Sequence, residues 1–193
     1  MKRTLLVILA ASVAALGGAI ATTAQRQKAP KPLVAEPSIV DRAAPPATLE
    51  ELGDVDLVAR VRIVRATARE RSLGEGYVVR ETVYTAEVQD AGRMRRQLPA
   101  TRQIEIVMPG GDFEEADVIR RFGDPDNPPL EAGARYLLAL RWNALIDAYV
   151  LPFGPDSVFE LVNDRIEPRG RGLAAQQLKG RFGAEGMNKI SGK

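Results

Sequence analysis

The stretch "ARYLLALRW", residues 134–142, carries apolar side chains on both sides of an extended chain. Successive side chains of a strand point to opposite faces, so Tyr136, Leu138, Leu140 and Trp142 share one face while Leu137 and Ala139 share the other. A strand at the surface of a sheet alternates apolar with polar residues. This one does not, and it reads as a central strand buried on both sides.

Working outward, the neighbouring segments have the half-buried pattern that such a strand needs beside it. "DLVARVRIVRA" places Leu57, Ala59, Val61 and Ile63 on one face and Arg60 and Arg62 on the other. "YVVRETVYTAEVQD" turns Thr82, Tyr84, Ala86 and Val88 inward and leaves Glu81, Thr85 and Glu87 to solvent. "RQIEIVM" adds Ile104, Ile106 and Met108. C-terminal to the opening stretch, "DAYVLP" reads as a short strand. "SVFELVNDRIEP" reads as a hairpin whose Asn163-Asp164 pair accepts the positive φ of a two-residue turn. "LAAQQLKG", Leu173 to Gly180, has the form of a short helix stopped by glycine, and the last dozen residues read as frayed.

These segments predict a mainly β domain: a small, partly open antiparallel β-barrel of five to six strands with one or two short helices. The expected organisation is a signal peptide at 1–21, a Pro/Ala-rich linker at 22–49, the barrel at 50–170, and a short helix with a flexible basic tail at 171–193. Within the linker, Leu33 to Val40 could add to a sheet edge. At the N-terminus, Lys2 and Arg3 precede an uncharged apolar run to about Ala21, the pattern of an export signal. Ala19-Ile20-Ala21 suits cleavage after Ala21, with Ala24 as a second position. An uncleaved anchor is the competing reading, because about 17 apolar residues approach the length of a membrane span. Either reading places the rest of the chain in the periplasm, cell envelope or extracellular space.

The chain has no cysteine and no histidine. Thiolate nucleophiles, disulfides, Cys/His zinc sites and imidazole-based triads are therefore excluded, and so is an N-terminal lipid anchor on cysteine. Catalysis would rest on carboxylates, Lys, Ser/Thr or Tyr. Ser72 and Ser157 lack an imidazole, and among the lysines only Lys179 is near the folded part. The formal net charge of +2 gives no general pull toward nucleic acid, and aromatics for stacking bases are few at 5%.

The order of these strands, with Pro109-Gly110-Gly111 closing one and Gly133-Ala134-Arg135-Tyr136-Leu137-Leu138-Ala139-Leu140 opening another, resembles the OB-fold-like barrels of netrin-like and tissue-inhibitor-of-metalloproteinase type. It also resembles small exported bacterial proteins that share this turn and strand. The resemblance covers roughly Leu52 to Pro168. It implies a barrel used for binding; the cysteines on which the animal families depend are absent here, so protease inhibition through an N-terminal cysteine does not carry over.

Three clusters are candidate sites. Arg93, Arg95, Arg96 and Arg102 lie in "GRMRRQLPATR" between two strands, where they could hold an anionic envelope surface or an acidic partner, or stand as a solvated hairpin. Asp124, Asp126, Asn127 and Glu131 lie in "GDPDNPPLEAG", a loop stiffened by prolines and rich in oxygen donors, which suits calcium or serves as a chain of turns. Asp112, Glu114, Glu115 and Asp117 could hold a hard cation, but "FEEADVIRRF" reads more readily as one or two helical turns with acids at their start. No Gly-Lys-Ser/Thr follows Pro109-Gly110-Gly111, which excludes a phosphate-binding P-loop there. The expected function is non-catalytic binding of an envelope protein, peptide or other envelope component, with no nucleic acid and with membrane contact only through an uncleaved N-terminal segment. The alternatives are a carboxylate-dependent envelope hydrolase and a purely structural envelope protein.

Overall fold

The structure, a computed structural model, describes residues 31–37, 43–125 and 127–192. The expected signal peptide and half of the linker, residues 22–30 and 38–42, lie outside those residues.

The chain is mainly β. A seven-stranded sheet contains β2 (Leu57–Gly74), β3 (Tyr77–Met94), β4 (Gln103–Pro109), β7 (Arg135–Asn143), β8 (Ala148–Val150), β9 (Val158–Val162) and β10 (Arg165–Pro168). Its order is β10-β9-β7-β2-β3-β4-β8, and β8 also pairs with β7. The run from β7 to β8 therefore meets itself, but through only three residues of β8, Ala148, Tyr149 and Val150. The sheet is no sealed barrel. Its pairs are antiparallel except β4 with β8. A second, three-stranded sheet has the order β1-β6-β5, from β1 (Leu33–Pro37), β5 (Gly111–Glu115) and β6 (Val118–Gly123). The ten described strands exceed the five or six expected: the large sheet has seven, and β1 with the hairpin after Pro109 builds a second sheet of three.

β7 is central, as the two-sided pattern of residues 136–142 requires. Tyr136, Leu138 and Leu140 join Leu57, Val61, Tyr84, Ile106 and Tyr149 in one core. Leu137 and Ala139, on the opposite face, join Val58, Phe159 and Ile166 in a second core with the helices. The two-residue turn between β9 and β10 also forms as expected, with Asn163 at φ 51° and Asp164 at φ 63°.

Three expectations are corrected. The stretch 113–122 is a hairpin, not a helix: β5 and β6 pair from Gly111↔Phe122 to Glu115↔Val118 around Ala116, at φ 37°. Its acids face arginines across the strands, Asp112 to Arg121 at 2.6 Å and Glu115 to Arg120 at 2.7 Å, while Phe113 meets Phe122 edge to face. Cross-strand charge and ring pairs favour the sheet over an isolated helical turn. The C-terminal residues form α3 (Gly183–Ser191), following α1 (Leu49–Gly53) and α2 (Leu173–Gln176). Met187 and Ile190 are buried in the second core, and Gly186 lets the helix approach Ile166 so closely that a Cβ would overlap its side chain. Glu81, expected at the surface, is 2% exposed.

Candidate functional site

The corner Pro109-Gly110-Gly111 leads from the large sheet into the small one, and its two glycines have jobs that other residues would fill poorly. Gly110 (φ 86°) and Gly111 (φ 135°) hold backbone angles that side chains resist. A Cβ on the first would overlap the Phe122 carbonyl, and one on the second the Thr82 hydroxyl. Thr82 Oγ1 donates to the Gly110 carbonyl at 2.8 Å and fixes the corner against β3.

Once β5 and β6 pair, Gly123 returns beside this corner, and the proline-rich loop after it passes over the end of β4. The space left between them is a cavity of about 440 Å³. Thr82 and Tyr84 of β3 lie on one wall, and Met108 to Gly111 form the corner side. Phe122 and the loop prolines Pro125, Pro128 and Pro129 form another wall, and Ala35 of β1 closes the edge. The lining is chiefly carbon.

The loop is held in place by Arg169, which follows β10. Its guanidinium donates to the Pro128 carbonyl at 2.5 Å and the Pro129 carbonyl at 3.3 Å, and its Nε bonds Glu160 at 2.8 Å. Tyr84 and Tyr136 finish the anchoring: their hydroxyls accept from Leu130 N at 3.3 Å and Glu131 N at 3.0 Å. Burial raises both phenols above their ordinary range, so they stay protonated.

A second cavity, of about 270 Å³, lies beyond Met108, Pro109, Asp124 and Asn127, which line both. Glu81 and Arg71 give it a charged wall. The Glu81 carboxylate accepts from Arg69 Nε at 2.7 Å and from Arg71 at 3.1 and 3.2 Å. Burial pushes this carboxyl up, but the hydrogen bonds and charges of Arg71 and Arg69 outweigh it and hold the group below the usual range. It is an ionised, doubly paired group and a poor proton carrier.

The sequence-derived candidates are placed apart from these cavities or only partly within them. Arg93, next to last in β3, donates to the Gly53 carbonyl; Arg95 pairs with Asp54 at 2.6 Å. Arg96 stacks 4.2 Å from the Trp142 ring centroid, and Arg102 donates to the carbonyls of Val88 and Gln89. Arg95, Arg96 and Arg102 sit on the β3–β4 connection and Arg93 in β3 just before it, each with a local partner. In the loop, Asp124 and Asn127 line both cavities, Glu131 lines a different one with Tyr136 and Glu160, and Asp126 lies outside the described residues. Among the described residues no three acidic groups gather closely enough to hold a metal ion. Asp112, Glu114 and Glu115 are engaged with Arg121, Lys31 and Arg120. Ser72 is exposed at the tip of the β2–β3 hairpin, Ser157 is buried and accepts from Phe153 N, and Lys179 pairs with Glu167.

The sequence does not single out Thr82, Tyr84, Phe122 and Ala35 as site residues. The available signal was the pair of Pro/Gly clusters at 109–111 and 123–129, which meet only because the strands between them form a hairpin. No family model and no curated protein matches the chain.

Proposed function

We propose that the chain is an exported, non-catalytic binding domain that receives an apolar group of an envelope protein or peptide in the cavity between the 109–111 corner and the 123–129 loop. The observation that carries this reading is the cavity itself: about 440 Å³, carbon-lined, open at the rim and assembled by side chains committed to structural bonds. Sites for small or side-chain-sized ligands have this form, an apolar hollow with a few placed polar groups. The strand order supports an OB-like, partly open barrel beneath it, because β2-β3-β4-β8-β7 links three antiparallel neighbours, one parallel pair and a closing hairpin. Export rests on the basic and apolar N-terminal pattern, Lys2 and Arg3 before the uncharged run to about Ala21.

A carboxylate-dependent hydrolase has one observation in its favour, since Glu81 and Asp124 line the same second cavity. Against it stands the engagement of Glu81 by two arginines, which keeps it ionised and takes up its oxygens. The test of the binding reading is a titration with N-phenyl-1-naphthylamine, a neutral apolar dye that brightens when it leaves water. Saturable 1:1 binding by the wild type, lost in Ala35→Trp whose side chain fills the cavity, is the expected result. Equal binding by both proteins would refute it.

A further inference from the structure

β1 is an edge strand of an unusual kind for this molecule. It pairs in parallel with β6 from Leu33↔Ile119 to Pro37↔Gly123, and no other described strand pairs with it. Ile119 N donates to the Pro32 carbonyl at 3.0 Å, and Lys31 meets Glu114 at 2.5 Å. Side-chain burial adds little to these contacts, since Leu33 is 51% and Val34 39% exposed. A strand attached chiefly through its backbone, with Leu33 and Val34 substantially exposed, is bound the way an added peptide strand is bound: main-chain hydrogen bonds give attachment and side-chain pockets give selectivity.

The pocket beside it is under-filled. Ala35, opposite Arg121 in the register, lines the cavity of about 440 Å³ and brings one methyl group to it. An apolar hollow next to a small side chain forfeits the contacts that a larger one would make.

We propose that the free edge of β6 and the adjoining cavity form a strand-addition site for an extended peptide segment of another protein. That segment places a bulky apolar side chain where Ala35 stands, and β1 occupies the site as the chain's own displaceable competitor. The proposal rests on the cavity being a binding site and adds how the ligand is held and what it must displace. β1 competes intramolecularly, so a ligand must exceed it in contacts; the Ala35 position is where a ligand can do so. The three-stranded sheet is then complete in both states, with either β1 or the ligand beside β6.

The absence of native cysteine makes a direct test possible. Val34 and Arg120 are partners in the register, so the double variant Val34→Cys/Arg120→Cys can be oxidised to lock β1 in place and reduced to free it. The probe is a fluorescein-labelled peptide copying residues 31–37 with Ala35→Trp, followed by anisotropy, alongside the same peptide with alanine kept. The reduced protein should bind the tryptophan peptide roughly tenfold more tightly than the alanine peptide, the gain from burying one large side chain. Oxidation should abolish peptide binding and reduction should restore it. Peptide binding that is equal in the two states, or absent from both, would overturn the proposal. N-phenyl-1-naphthylamine, titrated into the same samples, separates the two levels. A dye that binds while strand exchange fails overturns this proposal alone, and a dye that binds neither state overturns the cavity reading beneath it.

Discussion

Replacing Glu81 with glutamine removes one charge from a buried position without changing its volume. The wild-type carboxylate is 2% exposed and accepts three hydrogen bonds, from Arg69 Nε at 2.7 Å and from Arg71 Nε and Nη2 at 3.1 and 3.2 Å. Breaking a fully buried ion pair costs about 3–5 kcal/mol. The arginines here are 42% and 34% exposed, so water recovers much of that loss, and about 2 kcal/mol is the expected cost of Glu81→Gln. For a chain of this size that corresponds to a fall in Tm of about 4–8 °C. The sign of the pH dependence follows from the depressed carboxyl. Its stabilising contribution is complete above the ordinary value of 4.5 and is lost as pH falls through the lower value of the folded state. Thermal melts followed by circular dichroism should therefore show the full gap between wild type and variant at pH 7 and a narrowing gap below about pH 4.5. A gap under about 1 °C at pH 7, or one that does not shrink in acid, would refute the assignment of Glu81 as an ionised structural anchor.

Other substitutions report on separate parts of the account. Gly110→Ala forces a side chain into a left-handed backbone position and against the Phe122 carbonyl, so a loss of about 2–3 kcal/mol is expected in denaturant titrations. Ile190→Ala opens a hole where α3 meets the second core and should cost about 2–4 kcal/mol; an unchanged midpoint would mean that the C-terminal helix does not dock. Arg169→Gln removes the clamp on the Pro128 and Pro129 carbonyls and should weaken N-phenyl-1-naphthylamine binding while far-ultraviolet dichroism stays that of the wild type. Asn163→Ile places a β-branched residue at φ 51° on an exposed turn and should destabilise by about 1–2 kcal/mol through the backbone alone.

The large sheet was legible in the sequence wherever burial follows the two-residue period. Residues 136–142 declared their two buried faces, and Asn163-Asp164 declared its turn, because each signal is local. The β5–β6 hairpin was not legible, since Phe113, Ala116, Val118 and Ile119 mimic a helical spacing over so short a stretch. What selects the strand form is pairing of Asp112 with Arg121 and of Glu115 with Arg120. Glu81 escaped notice because its face of β3 is covered only once Arg69 and Arg71 of β2 fold across it. In α3, glycines at 183 and 186 occupy half of the buried stripe, so hydropathy under-reports a helix packed by close approach. The cavity depends on all of these at once. Pro109-Gly110-Gly111 looked like a corner, which it is, and its role in a site appears only when the hairpin returns Gly123 beside it.

The central claim is that the space around Met108 receives the ligand, and the methionine methyl groups offer a direct view of it. Met108 is 4% exposed and lines both cavities, whereas Met94 is 52% exposed at the end of β3 and Met187 is buried against the second core. In a methyl NMR titration of methionine-labelled protein with N-phenyl-1-naphthylamine, the Met108 resonance should shift saturably while those of Met94 and Met187 stay in place. A shift confined to Met94 or Met187, or a Met108 signal unmoved at dye saturation, would contradict the account.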